Sequence, residues 1–433
     1  MGDTSSAPAA SPDEQAAPGG TSAPGVPVRP LPLGAFPLPF GFLLLPPGGE
    51  TEPVRLGLLA GRLPEQWPPV LRGHEAALAG DLNAARAAFS GTDPVSRFNR
   101  FVIDPDTVDA VALRADLGSP LDVLVDLVDF ATGRSDAAPD PAGHDAEIRA
   151  LLLAAAAVES VSSPAGLCEA VAAARPVSQA LAGVLHGALA QACKQAGDPA
   201  AAIAALQAGI ALLADTDLAI ARAEQHLELA ATYHELAAEA EASDGMMAPG
   251  MLGQAVQHYH NALQQAGVES APEVWAAAHA GLGAAYLTMP MTQAGDQLRL
   301  GVAVGSLRAA LTVYTPRTHP AQWSSAQLNL ANALVYAPSK HQGDNLTEAV
   351  ELYEAVLGTR DRATDPVGYA RALANQGNAL AHLGVFDQAR ARLAEAGYLF
   401  EYSQDWAALA TVRTLLDDLA RQQKAHAKVG ADD

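Results

Sequence analysis

Aromatic residues are scarce in this chain of 433 residues: Phe, Trp and Tyr together make 5%, although 49% of the residues are hydrophobic. Sandwich and barrel cores draw on aromatic and β-branched side chains, so this shortage argues against them and favours helices packed through alanine and leucine. Cysteine is scarcer still, with only Cys168 and Cys193. Two thiols cannot staple a secreted scaffold, which points to a reducing, cytoplasmic setting. In PAGLCEAVAAA and LAQACKQAG both read as small buried hydrophobes. Basic residues are also in short supply, 26 against 48 acidic ones, for a net charge of -22. A polyanion is then a poor partner, so neither nucleic acid nor an anionic membrane is expected, and basic segments of a protein partner fit better. No apolar run approaches the roughly 20 residues of a membrane span. The most apolar stretch, LPLGAFPLPFGFLLLPP, is interrupted by prolines at 32, 37, 39, 46 and 47.

Catalytic signatures are missing too. There is no HExxH, CxxC, G-x-S-x-G, P-loop or strand-borne GxGxxG. Among twelve histidines, His258 and His260 stand two apart and so face different sides of one helix; His234 and His279 reach them only through tertiary packing. A Cys-His dyad would need an exposed thiol in an electropositive pocket, which neither cysteine's apolar context offers. The acidic pairs Asp417-Asp418 and Asp432-Asp433 read as solvated. The expectation is a chain without catalytic residues, metal or cofactor.

What the chain does have is a short pattern written three times. Pro272-Glu-Val-Trp275 leads to Leu282-Gly283 and Tyr286; Pro320-Ala-Gln-Trp323 leads to Leu330-Ala331 and Leu334; Pro366-Val-Gly-Tyr369 leads to Gln376-Gly377 and Leu380. Each is answered by a second apolar helix, as in LTEAVELYEAVL (Ala349, Tyr353, Val356) and FDQARARLAEA (Ala389, Leu393, Ala396). The small residues at 283, 331 and 377 allow a partner helix to approach, and the leucines and tyrosines fill the groove between. A helix pair of this kind cannot bury its apolar face alone and must stack on copies of itself.

GNALAHLGVFDQARARLAEA, residues 377 to 396, resembles the tetratricopeptide repeat without insertion. The other copies are longer: Pro272, Pro320 and Pro366 recur at intervals of 48 and 46 residues, against about 34 in that family. The long form, with Pro before Trp and Gly-Asp before the second helix, resembles repeats associated with bacterial CHAT proteases. No such protease domain follows in this sequence. The resemblance implies an all-α, right-handed superhelical solenoid of helix-turn-helix repeats.

In chain order, residues 1–30 are Pro/Ala/Ser/Gly-rich and read as a disordered tail without a signal peptide. Residues 31–63 form an apolar, proline-rich arm, with short strands at Phe40 to Leu45 and Val54 to Leu59 possible; it reads as an extended arm laid over the first helices, the alternatives being a docking segment for a partner or an oligomer, or membrane contact. Residues 64–175 read as degenerate helical repeats. Within them Gly73, Ala76, Gly80, Ala85 and Phe89 keep the repeat's spacing, and helices open at Asp104 and Ser119. Repeats of better form occupy 176–400, a capping helix 401–425 and a frayed tail 426–433. A capping box at Asn345-Leu-Thr-Glu348 and terminal glycines at 358 and 384 mark helix ends.

The resemblance also implies a concave groove lined by the first helix of each repeat. Asn332 and Asn378 stand just after the small position, Tyr336 and His382 one turn on, and Arg371 opens the neighbouring helix. Asparagine both donates and accepts, so two in register can hold a peptide main chain, and Arg371 can receive a carboxylate. The preceding copy has Ala284 there, with Leu287 and Thr288 after it, which makes the groove mixed and suited to an extended or amphipathic protein segment. The function expected is a cytoplasmic, non-catalytic protein-binding scaffold or adaptor. Alternatives are an assembly or maturation subunit of a larger enzyme, or the regulatory half of a split CHAT system.

Overall fold

The computed structural model describes residues 43–46, 50–159, 163–244, 249–290 and 297–429. The expected disordered tail at 1–30, the arm up to residue 42 and the last four residues lie outside them. Among the described residues the regular structure is nineteen α-helices and two short 3-10 turns, with no strand.

The described residues divide into two compact units, 43–229 and 230–429. The first unit carries α1 (Glu52–Leu59), α2 (Arg72–Leu78), α3 (Leu82–Ala88), α4 (Pro94–Ile103), α5 (Ala110–Leu117), α6 (Val123–Ala131), α7 (Ala146–Glu159), α8 (Pro164–Ala174), α9 (Gln179–Gln195) and α10 (Pro199–Leu213). The boundary falls inside α11 (Ala219–Asp244). The second unit continues with α12 (Pro249–Leu263), α13 (Pro272–Thr288), α14 (Gln297–Ala310), α15 (Pro320–Tyr336), α16 (Gln342–Leu357), α17 (Pro366–His382), α18 (Phe386–Tyr402) and α19 (Trp406–Val429). From α12 to α19 each helix packs on the next, and α13, α15, α17 and α19 also touch in sequence. This is a stack of helix hairpins.

Local chemistry sets the helix starts. Proline occupies the first turn of α4, α8, α10, α13, α15 and α17, where its missing N–H leaves no bond unmade. Side chains cap several of the starts. Asp81 accepts from the Ala84 N–H, Asp198 from Ala201 and Asp365 from Gly368, each at 2.9 Å. The tight turns after α9 and α17 need a residue with positive φ, met by Gly197 (φ 77) and Gly384 (φ 78).

Inside the hairpins, a glycine on one helix receives a large side chain from its partner. A Cβ added at Gly183 would lie 2.8 Å from Leu213, one at Gly283 2.6 Å from Leu307, and one at Gly377 2.8 Å from Leu393. The short α2–α3 hairpin, where a degenerate repeat is expected, uses the same device: a Cβ at Gly73 would lie 2.6 Å from the Phe89 ring. In the α15–α16 hairpin the small residue is Ala331 and the large one is Tyr353, both fully buried in the second unit's core.

Several local expectations are corrected. Val54–Leu59, readable as a strand, belongs to α1, because Pro53 opens a helix there and Val54 and Leu58, one turn apart, share its buried side. The supposed capping box at Asn345 lies inside α16, which starts at Gln342 with no side-chain cap. Gly358 ends α16 with φ -68, an ordinary helical value that needs no glycine. Helices open at Ala110, capped by Asp109, and at Val123, preceded by Asp122, rather than at Asp104 and Ser119. Cys168 is exposed on α8, whereas Cys193 is buried. Of the arm, Leu43 and Leu44 are buried, and Leu45 packs with Trp67 against Val54, Leu58 and Leu71.

The glycine contacts give a paired test by thermal denaturation. Gly377→Val should cost about 1–3 kcal/mol through overpacking. Gly301→Ala and Gly305→Ala, at α14 positions where an added Cβ meets nothing within 4 Å, should each gain about 0.5–1 kcal/mol.

Candidate partner-binding face

Helices α15 and α17 lie side by side in the second unit, and one stripe of each carries matching residues. On α15 the stripe is Ser325, Asn329, Asn332 and Tyr336; on α17 it is Arg371, Asn375, Asn378 and His382. The spacing of four, three and four residues keeps each set on one side of its helix. All eight are half-buried except His382, which is exposed. The equivalent stripe of α13 reads Ala277, Gly281, Ala284 and Thr288, so the polar character begins with α15.

The expected site residues sit in two linked clusters. The Asn332 Oδ1 accepts from the Tyr353 hydroxyl at 2.6 Å and from Asn375 Nδ2 at 3.1 Å. That single oxygen ties α15 to both α16 and α17. Asn378 Nδ2 donates to the Tyr336 hydroxyl at 3.1 Å, and the Tyr336 and His382 rings meet edge to face with centroids 6.3 Å apart. Arg371, at the head of its stripe, has its guanidinium 3.9 Å from Asp405, which caps α19 through the Ala408 N–H at 3.1 Å. That ion pair draws Arg371 toward α19.

Asn375 and Asn329 were not among the residues expected. Their signal is present in the sequence as the pair Asn-x-x-Asn in both QLNLANAL and ANQGNAL. Reading a whole helical stripe, rather than one position per repeat, finds it. Asn329 makes no hydrogen bond among the described residues. The Asn332 amide nitrogen and the Asn378 carbonyl oxygen are likewise unengaged, so the face presents open donors and acceptors.

Burial tunes the titratable groups. Desolvation raises the Tyr336 hydroxyl, partly offset by the Asn378 bond, and raises the fully buried Tyr353 well above its ordinary value. Desolvation lowers His382. These tyrosines therefore stay neutral hydrogen-bonding groups at physiological pH.

The histidines weighed as metal ligands are dispersed. His258 stacks on Tyr233 of α11 with centroids 6.0 Å apart, while His260 lies 3.3 Å from the Tyr286 hydroxyl of α13. His279 packs edge to face on Trp275 at 4.4 Å, and His234 lies 3.4 Å from the Thr288 hydroxyl. Among the described residues no group of three His, Cys, Asp or Glu is placed to hold a metal ion. Nor is any described helix long and apolar enough to cross a membrane.

No family model matches the chain, and no curated protein matches it. Among solved structures, it is similar to a signal transduction ATPase with numerous domains, carrying a tetratricopeptide repeat sensor, from Pyrococcus horikoshii. The identity is 13% and the TM-score 0.37, over 80% of this chain and 48% of that one. The chain thus spans about half the length of that protein.

Asn332, although half-buried at the surface, should prove structural. Asn332→Ala leaves the buried Tyr353 hydroxyl without an acceptor and should cost about 1–3 kcal/mol. Tyr353→Phe should cost less, and the double variant less than the sum, a coupling of at least about 0.5 kcal/mol in a denaturation cycle.

Buried histidines set the acid limit. Burial lowers His74 and His234 from 6.5 to about 4. The unfolded chain then binds more protons between those values. Stability should be complete above about pH 6.5 and fall as pH drops toward 4, by on the order of 3 kcal/mol for each ring. His234→Gln should flatten that loss in pH-dependent urea melts; an unchanged slope would contradict it.

Proposed function

We propose that the chain is a non-catalytic protein-binding module. In this reading the α15–α17 face takes an extended segment of a partner protein, gripping its main chain through Asn329, Asn332, Asn375 and Asn378, with Tyr336, His382 and Arg371 at the margins. The observation that carries it is the doubled Asn-x-x-Asn stripe at one register on neighbouring helices, with amide groups left open toward solvent. The resemblance of these helix pairs to tetratricopeptide repeats supports the same use of the face. A net charge of -22 favours a neutral or basic segment.

The finer likeness, to the long repeats that accompany CHAT proteases, rests on the intervals of 48 and 46 residues between the repeating prolines. A protease of that kind encoded beside this chain would favour a regulatory role, and a multisubunit enzyme operon an assembly role.

The double variant Asn329→Ala/Asn378→Ala tests the face without disturbing the Tyr353 bond. In quantitative affinity purification with mass spectrometry, the partners of the native chain should fall at least tenfold, while Asn83→Ala, exposed on α3, leaves them unchanged. Undiminished recovery with an unaltered melting curve would remove the assignment.

A further inference from the structure

A second set of groups built to hold a main chain lies in the first unit, and it is filled. Asn99 of α4 accepts from the Leu44 N–H at 2.6 Å through Oδ1 and donates to the Leu44 carbonyl at 2.8 Å through Nδ2. His74 of α2 donates from Nε2 to the same carbonyl at 2.9 Å. One residue of the arm thus has both of its main-chain groups bound, as a residue in a β-ladder does when it exchanges both bonds with its neighbour. The clamp is dry: Asn99 is 1% exposed and His74 7%. The edge of the Phe89 ring packs on the imidazole with centroids 5.2 Å apart, and the His74 Nδ1 is buried without a partner.

These contacts read the backbone of Leu44 and are indifferent to its side chain. Specificity comes from the burial of Leu43 and Leu44, followed by Leu45 against the cluster of Val54, Leu58 and Leu71. A vacant clamp would strip an amide and an imidazole of their partners inside the protein. It therefore requires an occupant, and the occupant needs only an extended backbone carrying consecutive leucine-sized side chains. Only the five residues Pro47-Gly48-Gly49-Glu50-Thr51 separate the resident from α1 in sequence.

We infer that the pocket between α2 and α4 is a binding site for an extended apolar peptide. Residues 43–46 occupy it as a removable resident, and in trans it takes the same segment of a second copy of this chain. A second copy is the occupant to expect because it carries the one sequence already seen to fit. The short tether gives the resident an effective concentration of about 1 mM or more, so a free peptide competes poorly until the tether is cut.

The test uses the full chain with a protease recognition sequence replacing Pro47-Gly48-Gly49, and a fluorescent peptide of residues 40–46 standing in for the second copy's arm. By anisotropy, the cut chain should bind the peptide at concentrations at least tenfold below those the uncut chain requires. The same peptide carrying Leu44→Pro, which lacks the N–H that Asn99 accepts from, should bind at least tenfold more weakly, a comparison that needs no protein variant. Asn99→Ala in the cut chain should weaken the unmodified peptide similarly. Release of the cut arm only when helical circular dichroism is lost would make residues 43–46 a fixed part of the core and overturn the proposal. Equal binding of the two peptides would overturn it as well.

Discussion

Everything in this fold depends on close approach between helices, achieved by leaving a side chain out. Gly183, Gly283 and Gly377 each open a hole that a leucine of the partner helix fills, so two helices with few aromatics between them still exclude water. Dispersion weakens steeply with distance, and an alanine-rich chain has little bulk with which to bridge a wider gap. The composition that looks poor in core-forming residues is matched to a packing mode that does not need them. Where the hole is shallower, at Ala331, the neighbouring helix brings a tyrosine whose hydroxyl must then find an acceptor, and Asn332 supplies it.

That substitution links packing to the outer face. An asparagine placed to satisfy a buried hydroxyl also stands beside the α17 stripe, and its oxygen takes a second bond from Asn375. Frame and surface therefore share a residue. The same economy recurs in the first unit, where the amide of Asn99 acts as the missing strand for a segment that has no sheet to join.

Much of the architecture was legible because it is periodic. The small residues at 283, 331 and 377, the prolines that open α13, α15 and α17, and the turn at Gly384 all repeat at fixed offsets, so one copy interprets the next. Single events were harder to read. Val54–Leu59 is too short for a helical period to separate from a strand, and only the proline ahead of it decides. Asn345-Leu-Thr-Glu348 has the letters of a capping box, yet α16 had already begun a turn earlier. The candidate face was half visible: Asn332, Asn378, Tyr336 and His382 are brought together, while Asn329 and Asn375 went unread because one position per repeat was sampled. The clamp on Leu44 could not be read at all, since His74 and Asn99 lie 30 and 55 residues from the segment they hold. No local pattern encodes that distance.

Lone pairs and N–H groups separate the two matching asparagines. Both acceptor sites of its oxygen are consumed, so position 332 can offer only N–H to whatever lies over it. Asn378 spends one N–H on Tyr336 and keeps its second N–H and its carbonyl, so it can still both donate and accept. The two matching amides are therefore not interchangeable: one is left outwardly as a donor alone, the other as both donor and acceptor.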